Sequence, residues 1–123
     1  MNTKEQVLAL CNLLYEKKAL DIVAINVADK TIISDWFIIC SGRVPSQAKA
    51  LCDEVENHAA EFGLMVRRKE GYSDSRWIVL DFGHILLHIF LPDERKYYNM
   101  ERLWMDGNEN AILYSQERDA SEE

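Results

Sequence analysis

The chain lacks most of the devices by which a small protein announces its chemistry. Its three cysteines, Cys11, Cys40 and Cys52, are an odd number without C-x-x-C spacing. Each sits in an apolar pattern, which suits buried reduced thiols in a cytosolic compartment, and no disulfide or metal is needed to explain stability. No apolar stretch approaches the roughly 20 residues of a membrane span, and no basic segment leads into a long apolar run, so membrane insertion and secretion are not expected. Walker and dinucleotide fingerprints are missing. The histidines, His58, His84 and His88, leave no base beside a strand-to-helix serine elbow, which argues against a serine nucleophile. Ser41-Gly42 ahead of a helix could cradle a phosphate, as in nucleotidyl transferases. That chemistry also needs paired carboxylates for magnesium, and Asp81 has no partner two residues away.

Positive charge is scarce as well. The 14 basic side chains face 21 acidic ones, for a net charge of −7. The excess is concentrated late, with nine acids against four bases from Pro92 to Glu123. Such a chain is repelled by bare nucleic acid and steered toward a basic protein, so no direct nucleic-acid binding is expected. The one basic cluster, Arg67-Arg68-Lys69, reads either as an RNA contact or as a solvated strand end. The Asp53, Glu54 and Glu56 cluster reads as the solvated side of a helix.

What is present fits one domain of 123 residues, a size that buries about two thirds of its unfolded surface. Thr3 and Gln6 have the form of a capping box, and Val7, Leu10, Cys11 and Leu14 recur at helical spacing, predicting a helix from about Lys4 to Lys18. Strands are predicted at Asp21–Val27 and Asp35–Ser41, as a hairpin or neighbours. Ala48, Leu51, Cys52, Val55, Ala59 and Phe62 predict a helix from Pro45 to Phe62, with Gly63 as its cap. Strands follow at Leu64–Arg68, Arg76–Asp81 and His84–Leu91. Pro92 stops the last of them, Asp93 can cap, and a final helix is predicted from Glu94 to Met105. The order α-β-β-α-β-β-β-α argues a mixed α/β fold, a five-stranded sheet flanked by helices, over residues 1–106. Residues 107–123 read as an acidic, mobile tail, with a short extra element possible at Ala111–Tyr114.

Two segments depart from this plain pattern. A tight hairpin about Phe82-Gly83 sets Trp77 opposite His88, Val79 opposite Leu86 and Asp81 opposite His84 on one face. Ile78, Leu80, Ile85, Leu87 and Ile89 then fill the other. Metal binding by Asp81, His84 and His88 is disfavoured, since four residues of strand separate the histidines by roughly 13 Å. His88 reads as a hydrogen-bonded packing partner of Trp77 or as part of a recognition surface. In the last helix Tyr97, Tyr98, Met100, Leu103 and Trp104 span about 220°, more than the roughly 100° a surface helix commonly buries. A second copy of the chain or a different protein would cover the remainder.

Together these pieces resemble the ribosomal silencing factor family, also called Iojap-like or YbeB-like. The resemblance rests on Asp21-Ile22-Val23, Ser34 to Gly42, Gln47, Ala50, Gly71, Trp77 to Asp81, Gly83, His88, Arg95, Tyr98, Glu101, Leu103 and Trp104, over about residues 3–106. It implies a nucleotidyltransferase-like fold without catalysis or cofactor. It implies binding to the large ribosomal subunit through ribosomal protein L-fourteen, so that the subunits cannot join and translation falls when nutrients are scarce. Carried over by motif, the partner-binding set is Trp77, Asp81, His88, Tyr98, Leu103 and Trp104. Relatives are similar in forming homodimers. His84 stands where relatives usually carry an acid, and Arg43-Val44-Pro45 replaces a more polar turn. Organellar relatives carry transit peptides, whereas Glu5 already lies in the first helix, so a bacterial cytoplasm is the expected location.

Overall fold

The first helix starts one residue earlier than Thr3 and Gln6 suggest. Asn2 is extended, its side chain accepts from the Glu5 amide at 2.8 Å, and the Glu5 carboxylate accepts from the Asn2 amide at 2.8 Å. The capping box is therefore Asn2/Glu5, and α1 runs Thr3–Glu16 with Val7, Leu10, Cys11 and Leu14 buried, as the spacing predicts.

In the computed structural model, which describes residues 1–122, β1 (Leu20–Asn26) and β2 (Trp36–Ser41) pair antiparallel. The chain then crosses over through α2 (Pro45–His58), which tightens into a 3₁₀ turn, Ala59–Phe62. Gly63 closes it at φ 74, its N–H reaching the Ala59 and Ala60 carbonyls, a left-handed position that suits glycine. β3 (Arg68–Glu70), β4 (Trp77–Asp81) and β5 (Ile85–Phe90) follow. β5 returns parallel to β2, and every other pairing among the described residues is antiparallel. β3 is later and shorter than Leu64–Arg68, because Leu64 and Val66 pack against the core before the ladder begins at Arg68 opposite Asp81.

The hairpin register moves by two residues from the expected one. Trp77 lies opposite Phe90, Val79 opposite His88 and Asp81 opposite Leu86. Phe82 donates to the Ile85 carbonyl at 2.9 Å, so the two-residue turn is Gly83-His84. Gly83, at φ +91, takes the first central position, where a II′ turn wants glycine, and this choice of turn sets the register. A two-residue shift preserves the faces, so Ile78, Leu80, Ile85, Leu87 and Ile89 are fully buried core as predicted. His84 leaves the ladder and lies beside Asp35, 3.3 Å away.

The last helix is two helices, α3 (Pro92–Tyr98) and α4 (Met100–Trp104), and its N-cap is Leu91, without a side-chain bond, rather than Asp93. Asn99 breaks it at φ 48, ψ 54, one of the few side chains that tolerate this region. The 220° arc expected of one continuous helix therefore does not exist. Asn99→Ala is expected to lower stability by about 1 kcal/mol while Asn99→Gly is nearly neutral, read from urea midpoints. Equal midpoints for the two variants would show that Asn99 carries no backbone strain.

Beyond Gly107, where a mobile acidic tail was the expectation, the chain adds β6 (Ala111–Ile112) and α5 (Tyr114–Ser121). Glu123 lies outside the described residues. β6 makes the sheet six-stranded, in the order β3-β4-β5-β2-β1-β6, by pairing with Ala24 and Ile25 of β1. Ser115 of α5 accepts from the Ile22 amide at 2.8 Å. The Arg118 guanidinium lies over the Tyr15 ring at 4.5 Å and donates to Asn12 at 2.6 Å. These contacts rest on polar and aromatic side chains, which hydrophobic periodicity does not detect.

One face of the sheet is covered by α1 and α2. Their buried stripes meet Ile22, Ala24, Ile38, Cys40 and the inner residues of β4 and β5. Each fully buried aliphatic there contributes roughly 1.5–3 kcal/mol. Among the described residues the opposite face has only α3 and α4 over it. No helix among the described residues is long and apolar enough to cross a membrane.

Candidate docking surface

Strand alternation puts Trp77, Val79 and Asp81 of β4 beside Leu86, His88 and Phe90 of β5 and Phe37 and Ile39 of β2 on this second face. Its β2 side is closed by α4: Trp104 meets Phe37 edge-on at 5.2 Å, and Met100 and Met105 pack on the same cluster. Its β4 side is open. Trp77 stacks on Phe90 with ring centres 4.9 Å apart and planes 27° apart, and Tyr98 meets Trp77 at 4.7 Å. Val79, Asp81 and Leu86 are half-buried. Tyr98 is 47% exposed, Leu103 71% and Tyr97 83%. Large apolar groups left out in this way, beside a half-open sheet face, make it the candidate docking surface.

The six residues carried over by motif separate into different positions. Trp77 and Tyr98 touch each other at the open edge. Leu103 is exposed on α4, about 100° round the helix from the inward Trp104. His88 is buried, 5% exposed, beneath the aromatics. Asp81 fastens the turn, its carboxylate accepting from the Gly83 amide at 2.7 Å. The structure thus joins Trp77, His88 and Tyr98 in one cluster and leaves Leu103 to its side. Phe90, the floor under Trp77, is missed by the expected register. Glycine at the first turn position is the sequence signal that would have found it.

His88 and Trp77 interact as expected, though diagonally and not as directly opposed residues. The Trp77 indole N–H donates to His88 Nδ1 at 3.0 Å, and His88 Nε2 has no partner. Burial pushes the His88 pKa down from 6.5 to about 4. With the folded value below the unfolded one, the unfolded chain takes up the proton first. His88 therefore costs no stability through protonation above about pH 6.5; stability falls as pH drops through that value, and the loss is complete below about 4. Denaturant unfolding between pH 7 and 4.5 should show wild type losing up to about 1.4 kcal/mol per pH unit more than His88→Leu. Parallel pH profiles would refute this.

The segment that carries Tyr98 is tied down by Arg95. Its guanidinium donates to the Asp21 carbonyl at 2.6 Å, the Leu20 carbonyl at 3.4 Å, Ser41 Oγ at 3.1 Å and the Glu101 carboxylate at 3.3 Å. The two carbonyls belong to a bulge between Leu20 and Val23, where the β1–β2 ladder slips. Glu101 lies just past the Asn99 break, so one side chain anchors both short helices to the sheet. Elsewhere, Cys52, Asp53 and Glu56 bring ligand atoms within 4.8 Å of one another. Burial pushes the Cys52 thiol up to about 12. The two carboxylates already accept from Tyr72 at 2.9 Å and Lys69 at 3.1 Å, so this trio offers a metal little.

These features define a small mixed α/β domain with one closed sheet face and one half-open aromatic face. Residues 1–123 match the family model described as ribosomal silencing factor during starvation, and the chain belongs to that family. It is 39% identical over 106 residues to ribosomal silencing factor RsfS of Halalkalibacterium halodurans, covering 86% of this chain and 91% of that protein. It is 38% identical over 91 residues to the Bacillus subtilis protein of the same name, covering 74% and 77%. The crystal structure of a Chromobacterium violaceum protein superposes with a TM-score of 0.81 at 29% identity, covering 85% of this chain and 87% of that one.

Proposed function

We propose that this chain is a ribosomal silencing factor of the bacterial cytoplasm. In this reading it docks its aromatic face on the large ribosomal subunit through ribosomal protein L-fourteen and keeps the small subunit from joining, so that translation falls when nutrients are limiting. The observation that carries the reading is the Trp77–Tyr98 pair at the open edge of an apolar sheet face, in a chain of a family named for ribosomal silencing. Trp and Tyr are the residues most enriched at the centres of interfaces, and the net charge of −7 steers the chain toward basic ribosomal proteins. The action is steric and involves no cofactor. Sedimentation of purified subunits with and without the protein tests it: the joined fraction should fall, and an unchanged fraction sinks the reading.

A nucleotidyltransferase-like frame used without catalysis fits the same geometry. Ser41 Oγ accepts from Arg95, and a side chain on Gly42 would meet the Ala48 backbone at 2.8 Å, so the loop packs against α2 where a phosphate would lie. Asp81 pairs with Leu86 and Ser41 with Phe90, placing the two about 13 Å apart along β5. This arrangement does not bring Asp81 to Ser41-Gly42, and Glu101, which lines the same cleft as Ser41, is paired with Arg95. A homodimer built on the exposed Tyr97 and Leu103 is our reading of the remaining apolar surface, and equilibrium ultracentrifugation of Tyr97→Ala/Leu103→Ala against wild type tests it.

A further inference from the structure

We propose that His88 is a positioning residue for docking: its Nδ1 holds the Trp77 indole in the orientation the partner meets, without touching the partner itself. The proposal rests on the docking reading above and adds to it a division of labour within the aromatic cluster.

An indole N–H can only donate, so the 3.0 Å contact makes His88 Nδ1 the acceptor and places the ring proton on Nε2. The imidazole is thus one neutral tautomer. Nε2 then carries a proton that no protein group among the described residues receives, in a side chain 5% exposed. A buried donor without a partner is a cost that an apolar residue would avoid. Phe37 lies edge-on at 5.3 Å and Phe90 is stacked 6.3 Å away, so the site would hold an apolar side chain in comfort. What distinguishes histidine here is one acceptor, and that acceptor is used on Trp77. Val79, not Trp77, is the cross-strand neighbour of His88. The bond therefore runs diagonally across the hairpin and draws the indole along the strand, over Phe90 and under Tyr98. Stacking alone leaves a ring free to slide in its plane. A hydrogen bond at Nε1 removes that freedom.

Asparagine and glutamine separate this role from simple packing. The Asn Oδ1 falls near the position of Nδ1, whereas the Gln Oε1 falls nearer that of Nε2. The full chain would be prepared as wild type, His88→Asn, His88→Gln and His88→Leu. Two readouts are taken: the Trp77 indole ¹H–¹⁵N resonance, assigned with Trp77→Phe, and affinity for purified large subunits by co-sedimentation. His88→Leu should melt no lower than wild type at neutral pH, lose the Trp77 hydrogen-bonded shift, and bind large subunits about tenfold more weakly, the scale of one lost orienting bond. His88→Asn should recover both readouts, and His88→Gln neither. Wild-type affinity in His88→Leu with the indole shift lost would overturn the proposal, as would equal affinities for the Asn and Gln variants. Should His88→Leu not fold, the Asn and Gln pair carries the same contrast. If wild type itself does not sediment with large subunits, the docking reading fails instead. The indole resonance then decides the positioning role by itself, and an unmoved signal in His88→Leu overturns it.

Discussion

Replacing Trp77 by alanine should weaken docking on the large subunit about a hundredfold while the domain still folds. A hundredfold loss corresponds to roughly 2.7 kcal/mol, within the range of interface anchors of this type. The same substitution removes the stack on Phe90 and the donor to His88. Because Trp77 is half-buried, the folding loss should stay near 2 kcal/mol, against the 5–15 kcal/mol by which small domains are ordinarily stable. Tyr98→Ala supplies the control: at 47% exposure its folding loss should be smaller and its docking loss comparable. Thermal melts and co-sedimentation on the same samples separate the two effects. If Trp77→Ala loses stability yet binds as wild type, Trp77 is a core residue and the docking surface lies elsewhere.

Arg95→Ala should be the more damaging change to the fold, by about 3 kcal/mol in urea unfolding. The Arg95 side chain is 11% exposed and that of Glu101 25%. Removing the cation from a mostly buried pair commonly costs 3–5 kcal/mol, and the partial exposure of Glu101 places this case at the lower end. The bulge carbonyls of Leu20 and Asp21 lose their donor in the same step. Lysine cannot reproduce the fork that serves four acceptors, so Arg95→Lys should recover less than half of the loss. A second substitution, Glu101→Gln, should cost less in the Arg95→Ala background than alone, because the charge it removes is already unpaired. A loss below 1 kcal/mol for Arg95→Ala would mean that α3 and α4 are held by their aromatics and not by this anchor. Docking should suffer with stability, since Tyr98 and Leu103 sit on either side of the Asn99 break that Arg95 and Glu101 bridge.

Apolar periodicity was enough to find α1, α2 and the buried face of the β4–β5 hairpin, because those elements are decided by burial. It was not enough where a single backbone conformation decides. Gly83 set the register through its turn, and Asn99 divided a helix whose side-chain pattern runs through the break without a sign. The last strand falls within the short element that Ala111–Tyr114 allowed, but the last helix was hidden for another reason: α5 is held by Ser115, Arg118 and Tyr114 through hydrogen bonds and ring contacts. In the candidate site, Trp77, His88 and Tyr98 could be named from the motif, and the faces of the hairpin placed Trp77 and His88 on one side. That Phe90 forms the floor and that Arg95 moors the overlying helices required three dimensions, because each depends on a partner distant in the chain.

The two borders of the sheet differ in when they can be made safe during synthesis. On one side the border is β3, whose Arg68, Lys69 and Glu70 are all exposed, and charges of this kind discourage another strand from adding. On the other side β1 is apolar in its middle, and its outer backbone groups are taken by Ala111 and Ile112. β1 is translated well before β6, the segment that completes its edge. Throughout that interval β1 has an unoccupied edge of the sort that recruits other nascent chains, so the burden of staying monomeric on the way to the native state falls on the C-terminal segment.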